Sequence, residues 1–224
     1  MNRRPRRIIT VDDERLAERC ARGRIVLIDD DPEVLAALGA LLTYEGYATE
    51  AYESAASYLG TLEGDMPQFA GPVCLLCDVN MPMLSGLELQ RRLLEMNDVP
   101  LLLMSGVSGA EEAASAFRAG AIDFLVKPIA ADTLIAAVGK ALQVSAQRQE
   151  ASMLLAGLRA RAQALSERER SVVRLVVRGM KNQAIADTLG IALRTVKLHR
   201  QRGMEKLGAA STADLVRLVD QLTL

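Results

Sequence analysis

The sequence predicts an α/β domain built on a doubly wound, five-stranded parallel sheet, then a helical linker, then an all-α helix-turn-helix domain. Three observations carry this reading. Short apolar runs alternate with helical spacing five times between Arg24 and Thr133. Several of these runs are apolar throughout, the pattern of strands covered on both faces. The charge then changes sign along the chain. Residues 25–131 hold sixteen acids against four bases and residues 166–224 hold eleven bases against six acids, although the whole chain carries a net −1. An acidic body followed by a basic module suggests two domains, the second suited to a polyanion.

Residues 1–23 are basic and lack a clear period, so they are expected to form a tail. Arg7 to Asp13 imitates a strand followed by acids, but no second element fits between it and Arg24. Arg24 to Ile28 is the first strand, closed by Asp29, Asp30 and Asp31. Asp31 suits an N-cap and Pro32 a first helical position. Val34, Leu35, Leu38, Leu41 and Leu42 then recur at helical spacing, and Gly46 suits a left-handed cap. Tyr47–Tyr52 reads as a short strand, Ser54–Leu62 as a helix and 63–72 as a loop. The central strand is Val73–Cys77, stopped abruptly at Asp78. A helix follows from Leu87, a strand over Val99–Met104, a small-residue helix over Glu111–Ala119 and a fifth strand over Ile122–Val126.

From Asp132 to Leu165 the chain is alanine-rich and free of proline, which favours helix. One continuous helix of about 50 Å and two helices jointed near residues 145–152 are both open. A heptad can be written through it with Leu134, Ala141, Arg148, Leu155 and Ala162 at one core position and Ala137, Val144, Ala151, Leu158 and Leu165 at the other. Ser166 to Glu169 is a capping box. Helices over Asn182–Leu189, Arg194–Leu207 and Thr212–Leu222 follow, with the first two joined by a tight turn containing Gly190. The expected organisation is a tail at 1–23, the sheet domain at 24–143, a linker at 144–161 and the helix-turn-helix domain at 162–224.

Chemistry in a parallel sheet sits past the carboxyl ends of its strands. Asp29 and Asp30, Asp78, Ser105 and Lys127 all fall there, at four different strand ends. Carboxylates so close repel one another unless a cation lies among them. Oxygen ligands with open positions suit Mg²⁺, which keeps waters and takes a phosphate oxygen. Lys127 and the Ser105 hydroxyl can each meet a phosphoryl oxygen, leaving Asp78 to act as a nucleophile. Cys74 and Cys77 form a CxxC, but positions i and i+3 of a strand face opposite sides, so a shared metal or disulfide is not expected.

The apolar run ending in Asp29-Asp30, the segment CDVNMPMLSG (77–86), LLMSG (102–106) and FLVKP (124–128) resemble the receiver domain of two-component response regulators, over roughly residues 24–143. That resemblance implies a flavodoxin-like fold with Asp78 as phosphoacceptor. It implies Mg²⁺ held by Asp30, Asp78 and the backbone carbonyl of Asn80, with Asp29 acting through water. It also implies Ser105 as the switch hydroxyl, Phe124 at the switch aromatic where many members have tyrosine, and Lys127 as the phosphate-facing lysine.

The segment 165–208 resembles the LuxR-type helix-turn-helix of the NarL/FixJ class of response regulators. Arg194, Thr195, Lys197, Leu198, His199, Arg200, Gln201 and Arg202 then form the DNA-binding surface. Lys197, Leu198 and Gln201 lie at groove positions, Arg194 and Arg200 lie nearer phosphate, and His199 takes a packing or phosphate role. The function implied is a DNA-binding transcriptional regulator, not an enzyme. Its partners would be a sensor histidine kinase as phosphodonor, double-stranded promoter DNA, RNA polymerase, and a second copy of itself when phosphorylated.

Two rivals weigh against this. An aspartyl phosphatase of the haloacid dehalogenase type wants a second acid two residues past the nucleophile, where this chain has Asn80. A regulator independent of phosphorylation would have no use for the acidic set with Ser105 and Lys127. No apolar run approaches the length of a membrane span, and three unevenly spaced cysteines fit a reducing cytoplasm.

Overall fold

The computed structural model describes residues 23–62, 71–96, 99–106 and 110–222. The expected tail, but for residue 23, and most of the expected loop at 63–72 lie outside them. The chain divides into two units, residues 1–149 and 150–224.

In the first unit, strands β1 (Arg24–Ile28), β2 (Ala48–Tyr52), β3 (Val73–Asp78), β4 (Leu101–Ser105) and β5 (Asp123–Val126) form one parallel sheet in the order β2-β1-β3-β4-β5. β3 and β4 are buried at every position, which is why they read as unbroken apolar runs. Five strand bounds differ from expectation. β3 runs one residue further, because Asp78 pairs with Met104. Tyr47 falls outside β2, β4 runs Leu101–Ser105 rather than Val99–Met104, and Ile122 falls outside β5.

The strands' alternation sorts their side chains into two cores. One face carries Val26, Ile28, Leu75, Cys77, Leu101 and Leu103 against helices α2 (Ala55–Leu62), α3 (Gly86–Met96) and α4 (Ala110–Arg118). The other carries Ile25, Leu27, Cys74, Leu76, Leu102 and Met104 against α1 (Pro32–Tyr44) and the first turns of α5 (Ala131–Gln163). Cys74 and Cys77 therefore face opposite cores, as the strand period requires. Burial pushes the Cys74 thiol up to about 12. α1 starts as expected, with Asp31 accepting from the Glu33 amide at 2.8 Å and Pro32 at the first position. Loss of such a cap costs about 1 kcal/mol.

α5 is a single helix of 33 residues, so no joint interrupts it near 145–152. The heptad is only partly reflected in burial. Leu134, Ala137, Ala141, Leu158, Ala162 and Leu165 are buried, whereas Ala151 is exposed and Leu155 half-buried. Ser145 is buried and accepts the Val73 amide at 2.9 Å, and Gln149 donates to the Gly71 carbonyl at 2.9 Å. These bonds fasten α5 to the start of β3.

In the second unit, α6 (Glu167–Val177), α7 (Asn182–Leu189), α8 (Leu193–Leu207) and α9 (Thr212–Leu222) enclose a core of Val172, Val173, Val176, Ile185, Val196, Leu207, Leu215 and Val219. Leu158, Ala162 and Leu165 join it. The Ser166–Glu169 capping box forms in both directions. α8 begins at Leu193, one residue before the expected start, since Ala192 takes the N-cap position.

Candidate functional site

The carboxyl ends of β1, β3 and β5 bring three charged side chains together. Lys127 Nζ lies 2.7 Å from Asp29 Oδ2 and 2.6 Å from Asp78 Oδ1. The remaining oxygen of each acid accepts a local amide. Asp31 N donates to Asp29 Oδ1 at 3.0 Å and Asn80 N to Asp78 Oδ2 at 2.7 Å. Each carboxylate is thus oriented by the turn that follows its own strand and neutralised by a residue from β5's end. Asp29 and Asp78 are buried, with 1% and 5% of their surface exposed. Burial by itself would lower the pKa of Lys127. Its hydrogen bonds to Asp29 and Asp78, with their charges, outweigh that and raise it.

The loop after β3 turns tightly to hold this place. Gly86 N donates to the Val79 carbonyl at 3.0 Å. A Cβ at residue 86 would collide with the Asp78 carbonyl, so only glycine fits that approach. Ser105 ends β4 fully buried, 3.5 Å from Glu112 Oε2 of α4. Phe124 is half-buried against the core shared with α4, while Val126, two residues further along β5, and Phe117 of α4 are exposed. Asp30, by contrast, is exposed and lies outside the ion-paired cluster of Asp29, Asp78 and Lys127. Among the described residues no group of three His, Cys, Asp or Glu side chains is arranged as a metal cage. Even so, the oxygen donors fit Mg²⁺. Asp78 lies buried at the end of β3, Asp29 is buried at the end of β1 with exposed Asp30 next to it in the chain, and magnesium needs only one or two carboxylates beside its waters.

In the second unit, α8 buries Val196, Gly203 and Leu207. It exposes Arg194, Lys197, Leu198, Gln201, Arg202 and Glu205, while Thr195 is half-buried. His199 is half-buried too, and its Nδ1 is buried without a hydrogen-bond partner among the described residues. Arg200 reaches sideways. It donates to Asn182 Oδ1 at 2.9 Å and to Thr212 Oγ1 at 2.7 Å, tying the first residues of α7 and α9 to α8. A basic helix held by two neighbours, with one face open, is the arrangement a major groove accepts.

Family models match both units. The one described as Response regulator receiver domain covers residues 25–139, and the one described as Bacterial regulatory proteins, luxR family covers residues 163–219. The chain belongs to the two-component response regulators of the NarL/FixJ class. It is 37% identical over 199 residues to the response regulator protein TmoT of Ectopseudomonas mendocina, covering 88% of each chain. It is 33% identical to the transcriptional regulatory protein FixJ of Bradyrhizobium diazoefficiens, covering 88% of this chain and 94% of that one. Among solved structures, the response regulator StyR matches with a TM-score of 0.75 at 36% identity, over 90% of this chain and 100% of that one.

Several positioning residues of this response regulator have no signal in the sequence. Gln90 of α3 is buried and donates to the Ala116 and Ala119 carbonyls at the end of α4, at 3.1 and 2.8 Å. Glu169 of the LuxR-type module closes the capping box and also binds Lys206 of α8 at 2.7 Å. The Lys206 hydrogen bond and the Ser166 amide bring its carboxyl down to about 2. The box itself is legible as Ser-x-x-Glu, but its partner on α8 is not. No helix among the described residues is long and apolar enough to cross a membrane.

Proposed function

We propose that phosphorylation of Asp78 controls the binding of promoter DNA by α8. The observation that carries this reading is Lys127 bridging Asp29 and Asp78 at the strand ends. The domain limits proposed are the receiver at 24–143, the linker at 144–161 and the DNA-binding domain at 162–224. The phosphodonor is a sensor histidine kinase, and the protein acts in the cytoplasm as a regulator rather than an enzyme on an external substrate.

An Asp78 carboxylate oxygen attacks phosphorus, and the donor–phosphorus bond breaks as the new O–P bond forms. Lys127 leaves the carboxylate oxygen for a phosphoryl oxygen, and the Ser105 hydroxyl donates to another. Asp30, Asp78 and the Asn80 carbonyl would hold Mg²⁺, with Asp29 acting through water. When bound, the ion supplies charge neutralisation at the phosphoryl group. Movement of Ser105 toward the phosphoryl group takes its hydroxyl from Glu112 and repacks the face beside Phe124.

That face exposes Phe117 and Val126, apolar side chains suited to a second copy of the receiver. Pairing delivers two α8 helices to half-sites about one helical turn apart, and the gain comes from effective concentration. Arg194, Thr195, Lys197, Leu198, Gln201 and Arg202 meet the groove and its phosphates. His199 packs behind them, and Arg200 offers phosphate the N–H groups left over from Asn182 and Thr212. Bound at a promoter, the dimer acts on RNA polymerase.

The test labels the protein with a small phosphodonor and Mg²⁺, then measures its mass by ultracentrifugation and its DNA affinity by gel shift. Labelling at Asp78 with a rise in both mass and affinity is expected. Equal mass and equal affinity with and without phosphate would remove the switch.

A further inference from the structure

The exposed face of α8 contains one residue that does not suit a polyanion. Glu205 is the only acid in the helix, and it is exposed. Arg194, Leu198, Gln201 and Glu205 follow one another by four, three and four residues, so they share a single stripe. A carboxylate there repels phosphates and weakens binding to any duplex. The partner of its side chain explains its presence: Gln201 Nε2 donates to Glu205 Oε1 at 2.9 Å.

A glutamine amide by itself can turn over and exchange its donor and acceptor ends. A carboxylate only accepts, so it binds the amino end and fixes which end is which. One amide proton goes to Glu205. The other proton and the carbonyl oxygen are left as an adjacent donor and acceptor. Adenine presents the complementary pair in the major groove, the N7 acceptor beside the N6 amino donor. Guanine presents two acceptors there and would face the Gln201 carbonyl with its own O6.

We propose that Gln201 reads an adenine in each half-site and that Glu205 is its positioning residue. The proposal rests on α8 being the groove-facing helix. Glu205 acts through Gln201 and touches no base itself.

Binding-site selection and fluorescence anisotropy on the phosphorylated full-length protein separate these roles. Both side chains are exposed, so their substitution leaves the fold intact. The wild type should favour adenine at one position of each half-site by about tenfold. Gln201→Ala should lose that preference. Glu205→Ala should lose it as well, while binding unrelated duplex more tightly because a negative charge is gone. Glu205→Gln should gain the same non-specific affinity and keep only part of the adenine preference, because its amide accepts from Gln201 in one orientation and donates to it in the other. Unchanged base preference in either alanine variant overturns the proposal. Absence of duplex binding by the phosphorylated wild type would instead overturn the reading of α8 on which it rests.

Discussion

Lys127 Nζ stands 2.6 Å from Asp78 Oδ1, so the oxygen proposed as nucleophile is held by the same cation proposed to meet the phosphoryl group. The ion pair joins the central strand to the edge strand of the sheet, and it must open for phosphate to enter. Asp78→Asn should abolish labelling by a small phosphodonor. Lys127→Ala leaves Asp29 and Asp78 facing each other without their cation, and labelling should slow by at least about tenfold. Labelling of Asp78→Asn at the wild-type rate would disprove the assignment.

The proposed pairing face gives a separate handle. Phe117 and Val126 are 49% and 44% exposed, so charged substitutions there should leave folding nearly unchanged. Phe117→Asp or Val126→Arg should preserve phosphorylation but reduce the mass increase seen by ultracentrifugation, with a parallel loss of DNA affinity. Full dimerisation of both variants would exclude this face.

Glu169 makes the LuxR-type module sensitive to acid. Its folded-state value of about 2 lies below the ordinary 4.5, held there by Lys206 and the Ser166 amide. A depressed carboxyl contributes stability above its unfolded value and loses it as pH falls through the folded one. Hydrogen exchange in residues 166–207 should therefore accelerate between about pH 4.5 and pH 2. Glu169→Ala should remove about 1–3 kcal/mol at neutral pH and flatten that dependence. An unchanged acid profile in the variant would assign the sensitivity elsewhere.

Ser145 offers a test of how α5 is fastened. Its hydroxyl is the acceptor for the buried Val73 amide. Ser145→Ala leaves that N–H without a partner and should cost about 1–3 kcal/mol in urea unfolding followed by far-UV circular dichroism. Ser145→Thr, which keeps the hydroxyl, should recover part of it.

Much of the receiver was legible because its signals are local. The acids after β1, the abrupt stop of β3 at Asp78 and the Lys-Pro after β5 each follow from neighbouring residues, and α7 and α9 have the expected bounds. The side-chain ties were not legible. Gln90 meets carbonyls 26 and 29 residues away, and Ser145 meets an amide 72 residues away. Nothing in helical or strand periodicity records such a partner. Arg200 looked like any basic residue of a DNA-facing helix until Asn182 and Thr212 were seen beside it. The exposure of Asp30 was equally hidden, because a pair of adjacent acids does not say which one turns inward.

The two thiols of β3 have a consequence for measurement. Each is sealed under a different helical layer, Cys74 beneath α1 and α5 and Cys77 beneath α2, α3 and α4. Burial raises both above the ordinary thiol range, and the Asp78 and Asp29 charges push Cys77 further the same way. Neither can react with an alkylating reagent until its own layer lifts and a thiolate forms. In a Cys20→Ser background the pair becomes a stopwatch with two hands, one for each side of the sheet. Equal labelling rates at the two sites would mean that the receiver opens as one cooperative body. A faster rate at Cys77, and its change on phosphorylation, would time the loosening of the layer that contains α4 independently of any DNA or partner.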